Sequence, residues 1–171
     1  MNCSKIKEEA ANQIVEMSKF TAAYSVMALN CGIYVPAALY RNLRDAMVHF
    51  KALVDSINNN NDDQTKKHYF NLLEHLIRGE KDAVITYIQC ALKRINEIVC
   101  LHQYQIQVSL NDKKSVEKME NELKNILIDV RLMGLNLISN EKDTVNDLFE
   151  RVNKLAYSLN ELLSNYGWSL F

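Results

Sequence analysis

Apolar side chains recur every three or four residues along most of the chain, which is the spacing of one face of an α-helix. In the first segment the repeat includes Ile6, Met17 and Tyr24. Gly32 follows the repeat, and glycine commonly ends a helix because it adopts a left-handed backbone. The pattern therefore predicts a first helix over 5–30.

A second helix is predicted from Pro36 to Ile57. Proline is tolerated in a first turn, where its missing N–H would have no partner. Leu39, Ala46 and Leu53 are seven residues apart and belong to a seam with alternating spacings of four and three. The polar run at 58–63 is rich in asparagine and aspartate, so we expect it to end this helix.

A long third helix is predicted over 64–108, with Ile88 in the middle of its apolar stripe. Gly79 lies inside it and either kinks the helix or admits the close approach of another helix. The segment 104–110 alternates like a strand, but no partner strand is predicted. We therefore interpret it as a fraying helix end.

The last third of the chain carries two heptad seams, and the short segment 138–142 separates them. A short connection makes the two helices antiparallel neighbours. The first seam contains Val116, Met119, Leu123, Ile126, Val130, Met133 and Leu137, and the second contains Val145, Leu148, Val152, Leu155, Leu159, Leu162 and Tyr166. The aromatic end at 165–171 is expected to cap the bundle rather than anchor a partner.

These patterns predict an all-α protein: an elongated antiparallel bundle of about five helices with a C-terminal hairpin that resembles a coiled coil. One proline and four glycines in 171 residues agree with long uninterrupted helices. The length suits a single helical domain over 1–171. A subdivision into a bundle over 1–110 and a hairpin over 111–171 is the second option.

Charge and cysteine content exclude several function classes. The net charge of −1 disfavours nucleic-acid binding through a general basic surface, although a local site for RNA stays open. The four cysteines form no CxxC pair, and no run reaches the roughly 18 apolar residues of a membrane span. We expect a cytoplasmic protein without a membrane partner, a cofactor or a metal site.

Candidate chemistry is concentrated in the second predicted helix. Arg41, Asp45 and His49 are spaced by four and form one ladder, so Asp45 is placed to pair with Arg41 and to accept a hydrogen bond from His49. A carboxylate beside an imidazole fixes its tautomer and favours its protonated form. Arg44 lies about 140° from His49 around the helix axis.

The six residues from Arg44 to His49, RDAMVH, resemble the R-[N/D/H]-x-x-x-H signature of HEPN domains. The resemblance implies a compact all-α bundle that often dimerises, and a metal-independent ribonuclease of a bacterial defence or toxin–antitoxin system. It also implies roles for three residues: Arg44 would stabilise the phosphate, His49 would act as acid or base, and Asp45 would orient the pair. The alternative is that Arg41, Arg44 and Asp45 form a solvated face and that His49 flanks the core.

A second polar cluster follows in the third predicted helix, where His75, Arg78 and Asp82 share one face. The favoured interpretation is an exposed ladder of weak ion pairs with Glu74. The alternative is that this cluster approaches the ladder around His49, because the second and third helices should be antiparallel, and forms a polar pocket with two histidines. His68 and His75 are interpreted as solvated histidines rather than metal ligands.

The sequence thus supports two functions of different classes. One is a HEPN-like ribonuclease acting on single-stranded RNA, whose 2′-OH supplies the nucleophile. The other is a non-enzymatic helical module that dimerises or docks a protein partner. A shared cleft for Arg44 and His49 would favour the enzyme.

Overall fold

The structure, a computed structural model, describes residues 3–133 and 145–171, apart from the side chains of Cys3, Ser4 and Asn146. Within these residues the chain forms helices and no strand, which confirms the predicted all-α class. The six helices are α1 (Cys3–Asn30), α2 (Ala37–Asn58), α3 (Asp62–Val99), α4 (His102–Gln107), α5 (Leu110–Leu132) and α6 (Val145–Ser164).

Helix α1 ends at the predicted glycine. Gly32 has a φ of +64°, and its N–H donates to the carbonyl of Leu29 at 3.3 Å. The N–H of Ile33 donates to the carbonyl of Ala28 at 2.8 Å. These two bonds form a Schellman motif, which satisfies carbonyls that the end of the helix would otherwise leave without a donor.

Helix α2 begins and ends close to the predicted positions. Pro36 precedes its first residue in an extended conformation, with φ −60° and ψ 128°. The helix ends at Asn58, and α3 begins at Asp62, so the polar break is shorter than the predicted run of 58–63. A loop this short makes α2 and α3 antiparallel neighbours.

The prediction of one continuous third helix over 64–108 is wrong at its C-terminal end. The helix stops at Val99, and Leu101 has the extended backbone that precedes the short helix α4. The side chain of Gln105 donates to the carbonyl of Val99 at 3.0 Å, which gives that helix end a partner. The strand-like segment 104–110 therefore holds the last turn of α4, an extended Val108 and the beginning of α5.

Gly79 admits a close helix approach, the second of its two predicted roles. It is buried within α3, which continues through it without interruption. A Cβ atom at this position would lie 2.6 Å from Cε of Met17 and 3.1 Å from Cβ of Asn42. Only glycine lets α1 and α2 come this near to α3.

The residues group into two compact units, whose boundaries lie inside α1 and α3. We call them the N-unit (described residues 3–27 and 35–83) and the C-unit (described residues 28–34, 84–133 and 145–171). Neither boundary coincides with the predicted subdivision at 110/111, and the single-domain organisation stays a prediction.

Each unit has its own apolar core, built mostly from the predicted stripes, although Leu72 and Leu163 are buried in place of the predicted Leu73 and Leu162. In the N-unit the fully buried side chains include Met17 and Tyr24 from α1, Leu39 and Leu53 from α2, and Leu72 from α3. In the C-unit they include Ile88, Ile95 and Ile98 from α3, Leu123 and Ile126 from α5, and Leu159 and Leu163 from α6. Burial of this kind is the main stabilising term for either unit.

Helices α5 and α6 pack as the predicted antiparallel pair. Asp112 near the start of α5 accepts a hydrogen bond from Tyr166 just after α6, and Glu122 lies 3.8 Å from Arg151 in the first half of α6. The order of these contacts makes the helices antiparallel. The connecting turn over 138–142 and Leu137 of the first seam lie outside the described residues.

The aromatic end of the chain folds back onto the C-unit, as predicted. Leu170 is buried, and its N–H donates to the side-chain oxygen of Asn160 at 2.8 Å. The rings of Tyr166 and Trp168 stack with their centroids 6.0 Å apart. The tail therefore closes one end of this unit.

Candidate functional site

One histidine from each of the two predicted polar clusters meets the other between α2 and α3 in the N-unit. His49 on α2 has its ring stacked on that of His75 on α3, with centroids 5.3 Å apart. On its other side, Nδ1 of His49 lies 3.2 Å from Nδ1 of His68. We call these three residues, His49, His68 and His75, the histidine cluster. The approach of the two helices, which the sequence left as the alternative, is observed at His49 and His75.

Asn42 fixes the far end of the histidine cluster. Its side-chain oxygen lies 3.1 Å from Nδ1 of His75, so that nitrogen donates when it carries the proton. Both contacts join α2 to α3 at the same antiparallel register. About two turns of the helix hairpin therefore carry a continuous row of polar groups from Asn42 to His68.

Burial and neighbouring charges disfavour the protonated form of His49. Burial lowers the pKa of its imidazole most, and the positive charges of His75, His68 and Lys67 lower it further. Asp45 acts in the opposite direction. Burial and like charge together outweigh the carboxylate, so His49 is a neutral imidazole at neutral pH.

Asp45 pairs with a different arginine from the one its helical spacing predicts. Its Oδ1 accepts from Nε and Nη2 of Arg44 at 2.9 and 2.7 Å. This hydrogen bonding lowers the pKa of Asp45, and His75 and Arg41 lower it further from a longer range. Arg44 reaches the adjacent residue because its long side chain curls around the helix, whereas spacing alone favours Arg41.

The predicted catalytic residues Arg44 and His49 make separate contacts. The Arg44 side chain is 71% exposed and forms its ion pair with Asp45 on the surface of α2. His49 is half-buried and contacts the other histidines. Within the described part of one chain, Asp45 is the group that links them electrostatically.

Each of the two interpretations of the second polar cluster holds for some of its residues. His75 joins the histidine cluster, whereas Arg78 forms an ion pair with Glu74 on the same helix, as in the ladder alternative. Burial raises the pKa of Asp82, and the nearby Lys81 and Arg78 lower it. Arg78 therefore belongs to an ion pair within α3 rather than to the contact with His49.

Two members of the site were not identified from the sequence. His68 was interpreted as solvated, and Asn42 was not identified as a candidate. The signal that finds them is the register of the α2–α3 hairpin. Once His49 and the short loop fix that register, His68 falls opposite His49, and Asn42 falls opposite His75.

The side of α2 away from the core exposes three large apolar side chains. Tyr40 is 50% exposed, Met47 57% and Val48 61%. The hydroxyl of Tyr40 shares a hydrogen bond of 2.9 Å with Ser25 of α1. We call this surface the outward face of α2, and its exposed residues are Tyr40, Arg41, Arg44, Met47, Val48, Lys51 and Asp55.

Comparison with known proteins adds no family, since no family model, curated protein or solved structure matches the chain. Among the described residues, no group of three or more histidine, cysteine or acidic side chains is arranged to hold a metal ion. None of the described helices is both long and apolar enough to cross a membrane.

Proposed function

We propose that the chain is a helical interaction module that pairs with a second copy of itself through the outward face of α2. The observation that carries this proposal is the exposure of three large apolar side chains, Tyr40, Met47 and Val48, on one helix surface. Contiguous exposed apolar surface with a polar rim is typical of protein interaction sites.

The charge pattern around Val48 favours a second copy as the partner. Arg41 lies seven residues before Val48 and Asp55 seven residues after it, and all three are exposed. Positions seven apart drift by only about 20° around a helix, so the three residues form one strip. Among the described residues, neither Arg41 nor Asp55 forms an ion pair within 4.0 Å.

A two-fold axis at Val48 makes this strip complementary to itself. Two antiparallel copies of α2 then place Val48 against Val48, and Arg41 of each copy faces Asp55 of the other. An interface of this kind uses one surface patch on both subunits, as two-fold dimers require.

The size of the surface sets the expected strength of the pair. A single helix face buries much less than the roughly 1,600 Å² of a standard interface. Exposed ion pairs add only about 0.2–1 kcal/mol each. We therefore expect a concentration-dependent dimer with a dissociation constant in the micromolar range or weaker.

Sedimentation equilibrium of the full chain tests this proposal. Val48→Glu places a carboxylate on the axis against its own copy, so we expect dissociation to monomer at concentrations where the unchanged chain is dimeric. Tyr157→Glu is the matched control, because Tyr157 is a 73% exposed apolar residue of the C-unit. Equal association of both variants and the unchanged chain would contradict the proposal.

A second candidate function is a HEPN-like, metal-independent ribonuclease of a bacterial defence or toxin–antitoxin system. The convergence of His49 with His68 and His75 favours it. Cleavage through the RNA 2′-OH needs one imidazole as base and another as acid, and a neutral His49 suits the base role. Arg44 would bind the phosphate through its guanidinium after exchanging Asp45 for it.

An RNA cleavage assay discriminates between the two functions. Labelled single-stranded RNA is incubated with the full chain, with and without a chelator, beside Arg44→Ala, His49→Ala and the control His102→Ala. Intact RNA in every reaction supports the interaction module. Cleavage that survives the chelator, persists in the control and is lost in both other variants would support the ribonuclease and overturn our first proposal.

A further inference from the structure

The histidine cluster brings three imidazole rings into contact between two helices. The Nδ1 atoms of His49 and His68 are 3.2 Å apart, so they form a hydrogen bond only if one carries a proton and the other does not. On the opposite side the ring of His75 stacks on His49 at 5.3 Å with an interplanar angle of 19°. A positive charge on two neighbouring rings at once is repulsive at these distances.

We propose that the histidine cluster is a proton-sensitive contact that holds α2 against α3 at neutral pH and releases that part of α2 on mild acidification. The contact depends on at least one neutral imidazole in each neighbouring pair. Protonation of the second ring removes the acceptor of the His49–His68 hydrogen bond and adds like charge to the stack. This inference does not depend on which of the two proposed functions holds.

The charged groups around His49 set the direction of the pH effect. On α2, Asp45 favours its protonated form, whereas on α3 His75, His68 and Lys67 oppose it. Burial opposes it most, so the pKa of His49 is lower in the folded chain than its ordinary value of 6.5. The unfolded chain then binds more protons, and the contribution of this contact is present above about pH 6.5 and is lost as the pH falls below it.

The surroundings limit the effect to a local opening. Leu39, Ala46 and Leu53 of α2 are fully buried and do not titrate, so the helix stays attached to the core after the histidines separate. The segment that loosens includes Met47 and Val48, because they are one turn or less from His49. Acidification therefore loosens the outward face of α2, because contacts on the opposite side of the same helix are lost.

Two measurements on the full chain test the inference. An NMR titration follows the ring signals of all four histidines between pH 8 and 5. Hydrogen exchange, corrected for the intrinsic effect of pH, follows the backbone amides over the same range. We expect His49, His68 and His75 to titrate in coupled steps, and exchange in 42–53 to rise at least tenfold from pH 7.5 to pH 5.5, while exchange in α5 stays within a factor of two.

Two variants distinguish an effect of the histidine cluster from a general effect of acid on the whole chain. His68→Asn removes one titrating ring and retains hydrogen-bonding capacity, so it should reduce the pH-dependent rise in exchange at least threefold. His102→Asn changes a histidine of the C-unit and should leave the rise unchanged. Independent titration of the three rings at ordinary values, or equal exchange in 42–53 at both pH values, would overturn the inference even if no variant folds.

Discussion

Glu80 shows how burial changes the chemistry of a single residue. It lies beside the apolar stripe of α3, where it breaks the hydrophobic pattern, and burial raises its pKa from 4.5 to about 7. The folded chain therefore holds a proton that the unfolded chain releases between these two values. Stability falls as the pH rises through this window, because the carboxylate has to be ionised in a poorly solvated place.

We predict that Glu80→Gln stabilises the chain at pH 8 by about 1–3 kcal/mol, since the amide removes the cost of the buried charge. The gain should shrink as the pH falls from 8 to 5, because Glu80 itself becomes neutral. Urea unfolding at several pH values measures both effects. Glu117→Gln, at an exposed position of α5, is the control and should change stability little at any pH. A pH-independent gain for Glu80→Gln would refute this explanation.

Gly79→Ala should destabilise the chain by about 1 kcal/mol. Alanine gains about 1 kcal/mol in helix propensity over glycine, but overpacking costs about 1–3 kcal/mol. The clash with Cβ of Asn42 at 3.1 Å decides the sign, since that atom is fixed to the backbone whereas Cε of Met17 can turn away. Urea unfolding checks this against Lys66→Ala on the exposed side of α3. If the Gly79→Ala chain were more stable than the unchanged chain, α2 would be able to move away from α3 at little cost in free energy.

At the scale of single helices, the sequence predicts apolar faces better than it predicts helix ends. The stripes of α1 and α2 are buried as predicted, because 3.6-residue periodicity determines which side chains a helix can bury together. The break after Val99 was missed, since no glycine or proline marks it and Leu101 continues the apolar content. At this helix end the side chain of Gln105 donates a hydrogen bond to the carbonyl of Val99, and no glycine or proline is needed to end the helix.

The N-cap of α5 gives a test at this scale. Ser109 accepts from the N–H of Asp112 at 3.1 Å. Ser109→Ala should therefore cost about 1 kcal/mol in the free energy of unfolding, as loss of an N-cap usually does. Ser115→Ala is the matched control, because Ser115 lies inside the same helix and bonds only to the carbonyl of Asn111 in the preceding turn. Equal unfolding free energies for both variants would contradict the assigned cap.

The candidate site was only partly predictable because it depends on how two helices pack against each other. Residue types and spacing identified His49 and His75, because their helices carry unusual clusters of polar groups. Identifying His68 and Asn42 required the register of the hairpin, which depends on a loop whose length was overestimated. The ion pair of Arg44 with Asp45 depends on a side-chain conformation, which periodicity does not specify.

In the molecule as a whole, we propose that α2 is the functional helix and that both of its sides contribute. Its inner side carries the histidine cluster, whereas its outward face carries exposed apolar residues between charges of opposite sign. The C-unit has a separate core and a capped end, so we assign it no part in the pairing. The proposed self-association therefore depends on α2.

A charge exchange between Arg41 and Asp55 tests this self-association, because only the proposed antiparallel pair places these residues opposite each other. Arg41→Asp and Asp55→Arg should each weaken dimerisation about tenfold, equivalent to about 1.4 kcal/mol. The double variant restores opposite charges, so its dissociation constant from sedimentation equilibrium should return to within about threefold of the unchanged chain. A double variant as weak as the single variants, or an unchanged chain that stays monomeric at millimolar concentration, would contradict the account.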